Sequence, residues 1–276
     1  MVMKRRQAII FGDYTNAPYH PLHQVEAEIV CALGSTFSTE STENARALET
    51  GLSPEVDLLV SYADRWSVTL TDEQADALLA FVHGGGGLLS LHCGISLANH
   101  PRLTALFGGR FVSHPDFQPL AYVPAGASIT DFSFGGISHA GALEGRVTEG
   151  VPHTRLSAGE TSLELQRALD QPTGLASGEA TSDADRRRSL SELRASLQPF
   201  MLAEEPYLYE FVECPQGDRD VLLYYTLEGQ LYPALWTQTY GQGRIVNIQP
   251  GHTAQSLQHP AVQQLLAAAA NWAARG

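Results

Sequence analysis

The stretch GGGGLLSLHCG at residues 84–94 limits the fold more than any other part of the chain. Four glycines let the backbone reverse sharply, and Leu88, Leu89 and Leu91 then form a short apolar run. Such a run fits a strand buried on both faces, as in the middle of a parallel sheet. Just upstream, Thr71 and Gln74 have capping-box spacing, and Ala75, Leu78, Leu79 and Val82 recur at helical period. The spacing therefore predicts a helix that Gly84 ends. Helix, turn, strand and polar tip make one α/β unit. In open α/β sheets ligands sit beyond the carboxyl ends of the strands, which makes His92 and Cys93 the leading candidate site.

The same pattern recurs along the chain. Residues 7–11 read as a first buried strand, and the polar GDYTNAPYHP after it sets Asp13 and His20 near the same edge as His92. A helix over 23–33, with Val25, Ile29, Val30 and Leu33 inward, stops at Gly34. A weaker strand near Phe37, a short helix over 45–48 and a strand over 56–60, tipped by Ser61, Tyr62 and Asp64, come next. Past the central unit, His100-Pro101 opens a helix running to Phe107, His114 falls in a second His-Pro turn, and 120–123 read as a strand. Residues 221–226, 234–239 and 244–248 are apolar strand candidates. Pro260 opens a last helix with Val262, Leu265, Leu266, Ala269 and Trp272 on one face.

Between these halves, residues 124–199 are rich in Gly, Ser, Ala, Glu and Arg and show only scattered periodicity. They read as an excursion carrying surface helices over 163–169 and 189–197. The 276 residues are expected to form a single domain with this excursion, since α/β domains commonly reach ~250 residues.

Charge narrows the partners. A formal net charge of −13, from 17 basic and 30 acidic residues, disfavours nucleic acid. The basic MKRRQ start precedes only four apolar residues, too few for a signal-peptide core, and no apolar run is long enough to span a membrane. Cys31, Cys93 and Cys214 make an odd count without metal-type pairing, which suits a reducing cytoplasm.

The candidate chemistry lies at the strand tips. Set against the small-x-nucleophile-x-Gly elbow, Ser90-Leu91-His92-Cys93-Gly94 puts His92 at the nucleophile position. Cys93 next to it reads either as a thiol at the site or as a small residue packed behind it. His20, His92, His114 and His252 fall at predicted strand ends or in the loops after them, His20 and His114 before Pro, His252 after Gly and His92 two residues before Gly94. Loops of this kind converge in a parallel sheet, and imidazoles there serve acid/base work or metal ligation. No spacing resembles a helical histidine pair or a cysteine knuckle, so no metal and no cofactor is expected. Glu204-Glu205-Pro206-Tyr207 sets two carboxylates in an apolar run, and one of them is expected to face a cleft. Tyr207, Tyr209 and Trp236 read either as a sugar-stacking wall or as core.

In order, several of these segments resemble the ThuA-like family of the class I glutamine amidotransferase-like superfamily. They are Leu91-His92-Cys93 after the glycine turn, Gly108-Gly109-Arg110-Phe111-x-x-His114-Pro115, and Glu204-Glu205-Pro206-Tyr207. Pro233-Ala234-Leu235-Trp236, Tyr240-Gly241-Gln242-Gly243-Arg244-Ile245, Gly251-His252 and Asn271-Trp272 complete the set, which spans most of the chain except 124–199. The resemblance implies a flavodoxin-like three-layer α/β sandwich around a mostly parallel sheet, and a part in trehalose or 3-keto-sugar utilisation. Two departures stand out. Glu204 replaces the family's Asp, and His92 occupies the amidotransferase cysteine position with no downstream His-x-Glu, so glutaminase activity is expected to be absent.

On this reading His92, with His114 or His252, moves protons, and Glu205 orients a sugar hydroxyl or acts as base. Arg244 or helix N–H groups hold developing negative charge, while His20, Asp13, Cys93, Glu204, Tyr207 and Trp236 line the substrate side. The partner is then a small-molecule carbohydrate, with no nucleic acid and no membrane, and with self-association left open. A non-catalytic sugar-binding or assembly protein and a metal-dependent hydrolase are the alternatives.

Overall fold

In the computed structural model, which describes residues 4–127, 183–214 and 219–275, the alternation along one strand sets the layers. Within β1 (Arg6–Gly12), Ala8 and Ile10 enter one apolar core while Ile9 and Phe11 enter another. A strand buried on both faces needs cover on each side. On the first side α1 (Glu26–Leu33), α5 (Asp183–Ser196), α6 (Ala254–Gln258) and α7 (Pro260–Ala273) supply it. The second side is covered by α2 (Arg46–Thr50), α3 (Asp72–His83), α4 (Thr104–Phe107) and a small hairpin-like sheet of β5 (Gly109–Ser113) and β8 (Leu208–Phe211).

Nine strands form the central sheet, in the order β2-β1-β3-β4-β11-β10-β9-β6-β7. Its first five members, β2 (Phe37–Thr42), β1, β3 (Leu58–Tyr62), β4 (Gly87–Leu91) and β11 (Gly243–Ile248), run parallel. The remainder, β10 (Gln230–Tyr240), β9 (Asp220–Leu227), β6 (Gln118–Pro124) and β7 (Phe200–Glu204), alternate antiparallel. The α/β sandwich expected from the sequence is therefore present, with parallel pairing confined to the first half. Two reversals beyond β9 turn β7 back to the direction of β11, so the carboxyl end of β7 emerges on the same edge as that of β4.

The central unit forms as its residues dictate. Thr71 Oγ1 accepts from the Gln74 N–H at 3.3 Å, and Gln74 Oε1 accepts from the Thr71 N–H at 3.1 Å. Gly85, at φ 100°, makes the reversal that side-chain-bearing residues resist, and β4 follows with every residue buried. The helix over 260–273 buries Val262, Leu265, Leu266, Ala269 and Trp272, as its spacing requires.

Some boundaries differ. The strand expected over 56–60 lies two residues later, and the helix expected from 23 starts at Glu26 after a 3-10 turn at Leu22–Gln24. Val30, expected inward, is exposed, because Val25, Ile29 and Leu33 already fill the core-facing stripe of that short helix. The helix expected over 189–197 is observed as α5, whereas the one expected over 163–169 lies outside the described residues.

Candidate active site

Four loops at the carboxyl edge bring four ligand-type side chains to one point. His20 follows β1, His92 follows β4 directly, Glu205 follows β7, and His252 lies four residues past β11. His92 has φ 48°, a left-handed value uncommon for a residue with a side chain. That turn aims its ring off the end of β4, where it is buried and packs on Tyr207 with centroids 4.3 Å apart.

The outer nitrogens of the rings fix their tautomers. His92 Nδ1 lies 2.8 Å from the Gln249 carbonyl oxygen, an atom that only accepts, so Nδ1 carries the hydrogen. His20 Nδ1 lies 3.2 Å from Asp64 Oδ1 and donates to it. Asp64 is anchored in turn by the N–H groups of Tyr19 and His20, at 2.9 and 3.0 Å. Both rings therefore turn Nε2 inward, and these two atoms stand 3.2 Å apart. His252 Nδ1 joins them at 3.0 Å from His20 Nε2 and 3.2 Å from His92 Nε2. Glu205 Oε2 completes the group at 3.2 to 3.6 Å from the three nitrogens.

Burial and charge then set the protonation pattern. Burial draws His92 down to about 3, with the neighbouring His20 and His252 adding to the effect against the pull of Glu205. For His20 burial acts the same way but is outweighed by Asp64 and Glu205, and its pKa is raised. Burial alone would raise Glu205, yet the rings of His20, His252 and His92 hold it far below the usual carboxylate range. The cluster thus holds an ionised carboxylate and a neutral, inward-facing His92.

The other sequence-predicted residues divide clearly. His114 sits at the rim, half exposed, with Nε2 4.0 Å from Glu205 Oε1 and Nδ1 2.9 Å from the Pro115 carbonyl oxygen. Glu204 is fully buried beneath the site, where its Oε1 accepts from the N–H groups of Gly251 and His252 at 2.8 and 3.2 Å. Asp13 lies one layer back and pairs with Arg65 at 2.7 Å while accepting from the Asp64 N–H. The Cys93 thiol donates to the Tyr62 carbonyl oxygen, and burial pushes its pKa well up, so it is the small residue behind the site.

Two expected residues are not brought there. Trp236 is fully buried, donates to the Phe107 carbonyl oxygen and packs edge-on against Tyr209 and Phe211, so it is core. Arg244 lies at the amino end of β11, the opposite edge of the sheet, and donates to the Trp272 carbonyl oxygen. The half-buried aromatics beside the cluster are instead Trp66 and Phe111, packed on each other and on the fully buried Tyr207 at 4.5 to 6.3 Å. Exposed Phe117 lies 5.6 Å from His252. Asp64 and Gln249, which orient the two buried rings, were not among the expected site residues. Their signal was a polar residue just past the end of a buried strand, the same signal that marked His92.

A half-parallel sheet with imidazoles and a carboxylate gathered at its carboxyl edge defines an α/β protein with a strand-tip site. Residues 8–273 match the ThuA family, described as trehalose utilisation, and the chain belongs to that family. Two solved structures share the fold. A ThuA-like protein from Bacteroides uniformis superposes with TM-score 0.57 at 14% identity, covering 99% of this chain and 93% of its own. One from Parabacteroides merdae gives TM-score 0.57 at 14% identity, covering 98% and 90%. No curated protein matches. Family membership places the chain among proteins of carbohydrate utilisation. No helix among the described residues is long and apolar enough to cross a membrane.

Proposed function

We propose that this protein is an enzyme acting on a sugar or ketosugar at the His20, His92, Glu205 and His252 cluster, moving protons beside a carbonyl without glutaminase chemistry. The observation that carries the reading is the convergence of three ring nitrogens and one carboxylate oxygen, from loops up to 232 residues apart, at one aromatic-walled edge. Trp66 and Phe111 suit the apolar face of a sugar ring, and the carboxylate and imidazoles suit its hydroxyl and carbonyl oxygens.

His114 is the proton carrier in this reading. Its Nδ1 hydrogen is engaged by the Pro115 carbonyl, which leaves Nε2 as the base facing the pocket beside Glu205. The absence of glutaminase chemistry is supported by the sealed Cys93 thiol, which lacks both the exposure and the lowered pKa that a nucleophile needs.

The test is turnover on trehalose, 3-ketotrehalose and related keto-disaccharides. Glu205→Gln and His114→Ala are each expected to lose about 10²–10⁴ in rate, the usual worth of acid/base catalysis, while circular dichroism stays unchanged. Wild-type protein that binds these sugars in calorimetry without converting any of them would replace the enzyme with a sugar-binding protein.

A further inference from the structure

The inner faces of the three rings pose an electrostatic problem. His20 and His92 both give their Nδ1 hydrogen outward, to Asp64 and the Gln249 carbonyl, and turn their Nε2 atoms toward one another at 3.2 Å. The third nitrogen of His252 and the anionic oxygen of Glu205 crowd the same point. Three ring nitrogens and an ionised carboxylate oxygen this close together are satisfied at once by a single positive charge between them. Glu205 Oε2 sharpens the case: it is buried and close to three nitrogens, yet none of them is aligned to give it a hydrogen bond.

The shape identifies the missing charge. All six separations among the four atoms fall between 3.0 and 3.6 Å, so they mark the corners of a nearly regular tetrahedron. Its centre is about 2.0 Å from each corner, and zinc binds imidazole nitrogen and carboxylate oxygen at ~2.0–2.2 Å in that geometry. Softer sites would carry thiolate, and calcium or magnesium sites would carry mainly oxygen, so three imidazoles and one carboxylate suit a first-row transition ion. The surroundings are those of a built site as well. Ligating histidines typically give their other N–H to a carboxylate or backbone carbonyl, as His20 and His92 do here. Glu204 and Tyr62 pin the His252 backbone through its N–H and carbonyl.

We propose that His20 Nε2, His92 Nε2, His252 Nδ1 and Glu205 Oε2 bind one divalent transition-metal cation, with zinc the best fit. Among the described residues no other group of three or more His, Cys, Asp or Glu has this arrangement. The site concerns the same edge as the proposed sugar chemistry but stands on its donor atoms alone, whatever the substrate.

The test uses tag-free full-length protein, stripped with a chelator and titrated with Co²⁺ and then Zn²⁺. The expected result is one equivalent of Co²⁺ per chain, with the strong visible absorption of four-coordinate cobalt bleached by Zn²⁺. His252→Ala and Glu205→Gln abolish that spectrum. Asp64→Asn, which only orients His20, weakens binding about 10–100-fold, the usual effect of losing such a partner. Folding of each variant is checked by circular dichroism. Cobalt binding that survives unchanged in both His252→Ala and Glu205→Gln, or folded wild type that takes up neither ion at micromolar concentration, overturns the proposal. In the second case a proton shared among the rings fills the gap. Sugar turnover is assayed separately, so a metal-loaded protein without turnover sinks the sugar reading and leaves the cation site standing.

Discussion

His92 shows how one residue carries a site. Its positive φ swings the ring off the end of β4, the Gln249 carbonyl takes its outer hydrogen, and burial keeps the ring neutral, so the inner nitrogen stays a lone-pair donor. Two residues on, Gly94 makes this turn fit: a Cβ there would collide with the Ser61 carbonyl, against which the 3-10 segment His92–Asn99 packs. Gly94→Ala is expected to cost about 1–3 kcal/mol of stability by overpacking, read as a lower urea midpoint. An unchanged midpoint would mean that this segment shifts freely and does not hold His92 in place.

At the scale of elements, the break between β7 and β8 is what delivers the carboxylate. The apolar run through 199–211 divides at Glu205-Pro206-Tyr207, because proline has no N–H to continue a ladder. Before the break Phe200–Glu204 joins the central sheet, and after it Leu208–Phe211 pairs with β5 on the other side. Glu205 is left at the edge between them. The helix α3 has a different role, since its reciprocal cap satisfies two backbone N–H groups within its own first turn. Thr71→Ala should therefore lower stability by about 1 kcal/mol without altering cation binding or turnover, as thermal melts and the cobalt titration would report. A loss of cobalt binding in that variant would show that α3 and the site are coupled.

For the whole molecule, the site is a tie between distant parts of the chain. His20 and His252 are separated by 232 residues, and Glu205 arrives from the far, antiparallel half of the sheet. A cation bound to the folded state alone stabilises it by mass action, about 2.7 kcal/mol when free ion stands at a hundredfold excess over its Kd. The melting temperature of the stripped protein should accordingly rise with added Zn²⁺ and stay flat in His252→Ala. An equal rise in the variant would put the stabilising ion elsewhere.

Local pattern determined a good deal of this protein. The capping box of α3, the buried run of β4 and the apolar stripe of α7 are legible because period and caps act over a few residues. The same logic put His20, His92, His114 and His252 at strand tips on one edge. Only the tertiary structure decided which of them meet, because separations between loops depend on strand order and on four antiparallel reversals that no local pattern encodes. That is why His114 stays at the rim while Glu205 enters the cluster, why Trp236 joins the core, and why Arg244 lies at the opposite edge. A tetrahedron of donors drawn from four separate loops has no sequence spacing to betray it. It exists because the sheet brings those loops within 3.6 Å of one another.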